Sequence, residues 1–300
     1  MTRIAKKAAF EVLVKTYRKL SPPKPLYEMN DSTLKVNHSA GVFSCYTVRL
    51  EAILEYYRTY KKLPLIVDSS QQFSAYKNNT KEDISAFFFE TIEDFQIMYQ
   101  KPIYTTYEPD LQQFSDYSKL NFSDLKPFVD KFFGLSKSIR VRVERLVNDL
   151  PWDYQSICGI LYRGGDKNLE TNPPPYAEMI LKAVKLKQKN PQIKFLIQTD
   201  EQEFLKYAIR ELGNECYCHT KVSGGDFSIG DYVAAIFILS QCKYLITTSG
   251  NGEYWIRIFR GDNRGGLQWI SPKEYIYGIK NKSFDPDKKH FWIDTEKLIS

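Results

Sequence analysis

An apolar run that stops abruptly at charge constrains this chain most: Ile157-Cys-Gly-Ile-Leu-Tyr162 is followed at once by Arg163, Gly164, Gly165, Asp166 and Lys167. Consecutive apolar residues suit a strand covered on both faces, which belongs in the middle of a sheet. In open α/β sheets the ligand sits beyond the carboxyl ends of such strands, so Arg163 is predicted to stand at a ligand-facing edge. The two glycines leave room for a bound group to approach the backbone. The guanidinium of Arg163 and the ammonium of Lys167 are the two cations a pyrophosphate needs. A buried strand followed by a plain solvated turn has the same residue pattern, so the segments downstream decide the matter.

A second run, Ile193-Lys-Phe-Leu-Ile-Gln-Thr199, ends at Asp200 and Glu201, and a third, Lys243-Tyr-Leu-Ile-Thr247, ends in Thr248, Ser249, Gly250 and Asn251. Between them, apolar residues recur at helical spacing from Pro173 to Lys189 and from Asp231 to Ser240. Alternating strands and helices imply a parallel sheet whose polar strand ends gather on one edge.

Three blocks on these segments resemble the GT-B glycosyltransferases that include the α1,6-fucosyltransferases and the nodulation fucosyltransferases, with protein O-fucosyltransferases as distant relatives. Gly159-Ile-Leu-Tyr-Arg163-Gly-Gly-Asp166-Lys167 is similar to that family's Gly-Val-His-Val-Arg-Arg-Thr-Asp-Lys. Phe195-Leu-Ile-Gln-Thr199-Asp200-Glu201 is similar to its strand ending in Thr-Asp-Asp. Leu239-Ser-Gln241-Cys-Lys-Tyr-Leu-Ile-Thr-Thr248-Ser-Gly-Asn251 is similar to its Leu-Ser-Gln-Ala-Asp-Phe-Leu-Val-Cys-Thr-Phe-Ser-Ser. The likeness spans roughly residues 135 to 260. It implies an α/β, GT-B-like architecture of two Rossmann-like domains: residues 1–130 on the acceptor side, and residues 131–300, with the parallel sheet, on the nucleotide-sugar side.

The N-terminal half reads as one β-α-β unit, with a strand at Leu34–Asn37, a loop at His38–Ser44, a helix from Cys45 to Tyr60 and a strand at Leu63–Asp68. It resembles the family's opening motif, a glycine turn before a long helix that faces the donor. Gly41 takes that place, although it lacks a Gly-x-Gly-x-x-Gly context and suits a plain turn equally well. The boundary is placed between Asn121 and Gly134, where Asp124-Leu-Lys-Pro127 interrupts the pattern before Ser136 caps a helix running to about Asn148. Phe87, Phe88, Phe89, Phe132 and Phe133 are assigned to the core, and the stretch after Ile279 is expected to pack back on the fold.

Three hundred residues, 43% of them hydrophobic, suffice for two ordinary cores. A net charge of +6 favours an anionic ligand, and no basic run interleaved with aromatics points to nucleic acid. The segment Arg3–Lys19 reads as a basic amphipathic helix, able to lie on a membrane or a partner or to pack on its own domain. Charges interrupt it too often for a signal peptide or a membrane anchor, and a cytoplasmic setting is expected. The five cysteines form an odd, scattered set that reads as reduced core thiols. Chance explains the sequons at Asn30, Asn37, Asn78, Asn121 and Asn281. Asp285-Pro-Asp287 matches a metal-binding Asp-x-Asp but follows a polar stretch, as ordinary turn chemistry does.

No cofactor is expected beyond the nucleotide-sugar donor, of GDP or UDP type, and no metal. Arg163, Lys167 and the backbone N–H groups of Thr248–Asn251 at a helix start would neutralise the departing diphosphate. The donor-binding set is Arg163, Lys167, Gly41, Thr199, Asp200, Asp231, Thr248, Ser249, Gly250 and Asn251. The resemblance places a carboxylate base a few residues past Lys167. That position strictly holds Thr171, so the neighbouring Glu170 is assigned the role, with Asp166 as substitute and His38 or Asp68 as further alternatives. Departures concern the donor: Leu161 stands where the family has a guanine-contacting histidine, Gly164 where it has a second arginine, and Ala235 where it has a base-binding aspartate, for which Asp231 would substitute. A glycan or other hydroxyl acceptor is implied, with GDP-fucose as the first donor. Another GDP-sugar, a UDP-sugar, or a non-catalytic binding protein of the same fold remain alternatives. A nucleotide-dependent oxidoreductase lacks its glycine fingerprint.

Overall fold

The computed structural model describes residues 25–78, 82–92, 117, 120–165, 173–219, 228–270, 291–294 and 296–299. The basic segment Arg3–Lys19, the Asp285-Pro-Asp287 turn, and Asp166, Lys167, Glu170 and Thr171 lie outside them.

Three short strands open the fold, β1 (Tyr27–Met29), β2 (Thr33–Val36) and β3 (Ile66–Asp68). β2 pairs antiparallel with β1 and parallel with β3. The long helix α1 (Val42–Tyr60) connects β2 to β3, which makes the expected β-α-β unit. A short helix α2 (Ser85–Phe88) leads into β4 (Phe89–Glu90), which pairs antiparallel with β5 (Gly134–Leu135). Between them α3 (Phe122–Phe132) runs straight through Pro127, so the proline does not interrupt the pattern as the sequence suggested. The side chain of Asn121 caps this helix, accepting from the N–H of Asp124. Pro127 lies in the second turn, where its missing N–H leaves only the carbonyl of Ser123, near the exposed helix start, without its usual partner. Helix α4 (Lys137–Asn148) begins where expected, with the Ser136 hydroxyl accepting from the N–H of Ile139.

The second sheet carries the architecture. Its strands are β6 (Ile157–Tyr162), β7 (Lys194–Thr199), β8 (Cys216–Tyr217), β9 (Tyr244–Thr248), β10 (Gly266–Ile270) and β11 (Phe291–Asp294). Numbered one to six along the chain, they lie in the spatial order 3-2-1-4-5-6, from β8 across to β11. All neighbours are parallel except β11, which returns antiparallel on β10 and brings the terminal segment back on the fold. The order is that of a doubly wound dinucleotide-binding sheet.

All of β6 is buried, as its continuous apolar sequence requires. One of its faces, through Cys158, Ile160 and Tyr162, packs with α5 (Tyr176–Lys189) and α6 (Gln202–Leu212). The other, through Ile157 and Leu161, packs with α7 (Ile229–Gln241) and α8 (Asn251–Arg260). This second cluster runs on without a break into α1 and into Phe88, Phe89, Phe132 and Phe133, with Phe87 partly buried against it. Cys45, Cys158 and Cys242 are buried, and none of the five cysteines is bridged. No helix of the described residues is long and apolar enough to cross a membrane.

Beneath the turn from β9 to α8, Glu253 and Arg257 form an ion pair one helical turn apart, 3.2 Å between Nη2 and Oε1, with both side chains buried. The Thr247 hydroxyl donates to the same carboxylate oxygen. Burial pushes the Glu253 carboxyl up to about 7, against the pull of the Arg257 charge and of hydrogen bonds from Thr247 and Arg257. The ordinary carboxyl titrates near 4.5, so the stability from this group is complete below that pH and is lost as the pH rises through about 7. Glu253→Gln is a neutral near-isostere and removes the titration. The stability of the wild type relative to this variant, measured by urea unfolding between about pH 4 and pH 8, should fall as pH rises. A difference that stays flat or grows would show a carboxylate that is ionised throughout.

Candidate functional site

From the carboxyl end of β6 the chain turns to α5 and β7 on one side, and from that of β9 to α8 and β10 on the other, so a crevice opens between the two strand ends. That divergence is the topological switch point where such sheets bind ligands. Arg163 is the first residue past β6 and stands at this edge. Its backbone N–H donates to Oγ1 of Thr248, at the end of β9, over 3.3 Å, and the same hydroxyl lies 3.4 Å from the carbonyl oxygen of Leu161. Thr248 thus ties the two strand ends together at the point where they part.

The guanidinium of Arg163 is held from two directions. Nε donates to Oδ2 of Asp200 over 2.8 Å, and Nη1 donates to the hydroxyl of Tyr232 over 2.7 Å. Asp200 follows β7, and its other oxygen accepts from the N–H of Gly164 at 3.0 Å. One carboxylate therefore grips both the side chain and the turn. Thr199 is buried, and its hydroxyl accepts from the N–H of Glu201 at 3.1 Å, which shapes the start of α6. The Glu201 carboxylate accepts from the Tyr176 hydroxyl and lies against Gly164. A Cβ on Gly164 would come within 2.1 Å of a Glu201 oxygen, so glycine at this position is a matter of space. Burial, with the Glu201 hydrogen bond and charge, pushes the Tyr176 phenol up to about 12.

The remaining predicted residues divide. Gly250 precedes α8 and its carbonyl accepts from the hydroxyl of Tyr117 at 3.2 Å. Asn251 opens α8, with Oδ1 3.1 Å from Oγ1 of Thr47 on α1. Ser249 turns away from the crevice, its hydroxyl donating to the carbonyl of Trp269 over 2.6 Å. Asp231 lies in the first turn of α7, where Arg145 donates to its carboxylate and Arg142 approaches to 4.0 Å. Gly41 is the exposed N-cap of α1, and a Cβ there would meet nothing within 4 Å. Its φ of −55° is open to any residue, so no conformational demand explains the glycine. Leu161 and Ala235 are buried in the core.

The N-terminal half reaches the same crevice. Phe43, in the first turn of α1, packs edge-on against the ring of Tyr232 with centroids 5.3 Å apart. The hydroxyl of Tyr76 accepts from the N–H of Val42 at 3.2 Å and feels the charge of Arg163, although burial dominates and raises its titration. His38 shares a 2.8 Å hydrogen bond with the Ser44 hydroxyl, and burial lowers its pKa. At the end of β3, burial pushes Asp68 up, but hydrogen bonds from Ser70 with the Lys35 and Lys77 charges outweigh it and hold the carboxyl below its usual range. Among the described residues no three His, Cys, Asp or Glu side chains are grouped so as to hold a metal ion.

Tyr232 and Tyr76 escaped the sequence reading. Tyr76 lies in the turn after β3 and is tied to the start of α1 through Val42, and Tyr232 meets Phe43 of α1 from α7, so both reach the crevice through tertiary contacts. The only local signal is that Tyr232 sits in the first turn of a largely apolar helix, next to Asp231.

Comparison with solved structures agrees with the fold. The structure of NodZ α-1,6-fucosyltransferase soaked with GDP-fucose matches at a TM-score of 0.50 and 13% identity, over 80% of this chain and 95% of that one. Selenomethionine-labelled fucosyltransferase NodZ from Bradyrhizobium matches at a TM-score of 0.50 and 13% identity, over 81% and 95%. The chain shares their GT-B-like fold. At such low identity the likeness is one of fold alone. No protein-family model and no curated protein matches the chain.

Proposed function

We propose that the chain is a glycosyltransferase that holds a sugar nucleotide by its diphosphate at the carboxyl edge of the six-stranded sheet. The sugar passes to a hydroxyl of a glycan or another acceptor that enters from the α1 side, so residues 1–130 serve the acceptor and residues 131–300 the donor. The observation that carries this reading is Arg163, fixed at the β6–β9 switch point by Asp200 and Tyr232, in a fold shared with a fucosyltransferase soaked with GDP-fucose. GDP-fucose is therefore the first donor to test. A different sugar nucleotide, UDP-linked or carrying another sugar on GDP, is the second reading. It is favoured by Leu161 and Ala235, which are apolar and buried where the resemblance would place guanine contacts.

In this reaction the acceptor oxygen attacks the anomeric carbon, the bond to the β-phosphate oxygen breaks, and the nucleoside diphosphate leaves with inversion at carbon. Arg163, Lys167 and the N–H groups at the start of α8 take up the charge of the leaving group. Glu170 accepts the hydroxyl proton, with Asp166 as the substitute base.

Three outcomes test the reading. Arg163→Ala should weaken nucleoside diphosphate binding by about 1.5–3 kcal/mol, the worth of a hydrogen bond to a charged group, with the melting temperature retained; unchanged calorimetric affinity would remove Arg163 from the site. Transfer and binding should persist in EDTA, and activity that chelation abolishes and manganese restores would overturn the metal-independent route. Glu170→Gln should slow turnover by about 10²–10⁴ and leave nucleotide affinity nearly unchanged, whereas turnover within a few-fold of wild type would move the base to Asp166, His38 or Asp68.

A further inference from the structure

Arg163 is anchored by Asp200 on one side, and the opposite contact has a different character. Tyr232 offers the guanidinium a hydroxyl at 2.7 Å from Nη1 and a ring over which Cζ lies, 5.7 Å from the centroid. The same ring is clamped by Phe43 of α1 at 5.3 Å. The space for its oxygen is made by Gly252, the second residue of α8, where an added Cβ would sit 3.0 Å from the Tyr232 hydroxyl. Tyr232 therefore stands where three elements meet: the end of β6, the N-terminus of α8 and the first turn of α1.

A guanidinium reads a phosphate by its plane as much as by its charge, because paired N–H groups must face the oxygens together. Asp200 engages the guanidinium at Nε, and Tyr232 engages it at Nη1. The second contact fixes the plane. We propose that Tyr232 is a positioning residue of the diphosphate site: its hydroxyl sets the plane of the Arg163 guanidinium for the phosphates, and Gly252 keeps the space in which it does so. This rests on the nucleotide-sugar reading of the site and deepens it by naming a residue that acts through Arg163.

The experiment is a double-mutant cycle with GDP and UDP as probes, read by calorimetry on the full chain, with guanosine and uridine as phosphate-free controls. Tyr232→Phe removes one oxygen and retains the ring packing on Phe43. It should weaken binding of the preferred nucleoside diphosphate by about threefold to tenfold, the worth of one hydrogen bond, and leave the nucleoside control unchanged. In an Arg163→Ala background the same substitution should cost nothing further. Gly252→Ala replaces a helical glycine with a better helix former, so it should preserve or raise the melting temperature while weakening diphosphate binding. In a Tyr232→Phe background it should add no loss. Diphosphate affinity that Tyr232→Phe leaves intact would overturn the assignment. A loss equally large with and without Arg163 would also overturn it, because the tyrosine would then act independently of the arginine. If the wild type binds neither GDP nor UDP, the nucleotide-sugar reading itself falls and the role of Tyr232 falls with it, an outcome distinct from both of the others.

Discussion

The strand order reverses between β6 and β9, so the chain leaves these parallel neighbours in opposite directions, and the site depends on that divergence. The pairing runs from Cys158 against Tyr244 to Leu161 against Thr247. It therefore delivers Arg163 and Thr248 to the same level, where a hydroxyl can bridge them. A different strand order would close this edge with a connecting loop. The neighbouring pair β6–β7, aligned up to Tyr162 against Thr199, brings Asp200 to the same level. Register, set by apolar residues deep in the sheet, thus fixes the placement of charge at its edge.

That edge is not simply basic. Asp200 and Glu201 both lie beside the turn that carries Arg163, so part of the arginine's charge is engaged before any ligand arrives. At an effective dielectric of about 20, unit charges 4 Å apart interact by about 4 kcal/mol, and a diphosphate approaching these carboxylates needs further positive charge. The N-terminus of α8 is one source, and in the proposed reaction Lys167 is another. In exchange the arginine is held in place, and the two glycines after it are the spatial condition for packing two acids so near.

Much of the second sheet was legible in the sequence because its strands are largely apolar and the helices Tyr176–Lys189 and Ile229–Gln241 repeat apolar residues at helical spacing. Ile157–Tyr162, Lys194–Thr199 and Tyr244–Thr248 lie within a residue of the expected runs, and Ser136 caps α4 as its position suggested. Pro127 misled, since the helix runs through it in its second turn and forgoes only the N–H that would have met the Ser123 carbonyl near the helix start. At the site, residues adjacent to strand ends could be read off directly: Arg163, Asp200 and Thr248. Those reaching in from other elements could not, because no local pattern encodes the tertiary contacts that bring Tyr232 to the arginine, Phe43 to Tyr232 and Tyr76 to the start of α1. Asp231 looked free for a ligand, but its carboxylate is engaged by Arg145 and Arg142 from α4, a tertiary contact that spacing does not reveal.

Trp255 of α8 lies in the apolar cluster that joins the two halves of the chain, with Tyr46 edge-on at 5.1 Å, Phe133 at 4.8 Å and its indole N–H donating to the Thr47 hydroxyl over 2.9 Å. Dry aromatic contacts of this kind do not slide gradually; they hold or they break, since a partial gap forfeits dispersion on every facing atom. A hinge swing that opened the crevice by parting α1 from α8 would have to tear this cluster apart and wet an indole that is fully buried. Substrate traffic would then depend on the loops around the rim, while the wall behind the phosphates stays rigid. The emission of that indole, which lies directly behind the crevice floor, would give an optical record of whether the wall ever moves.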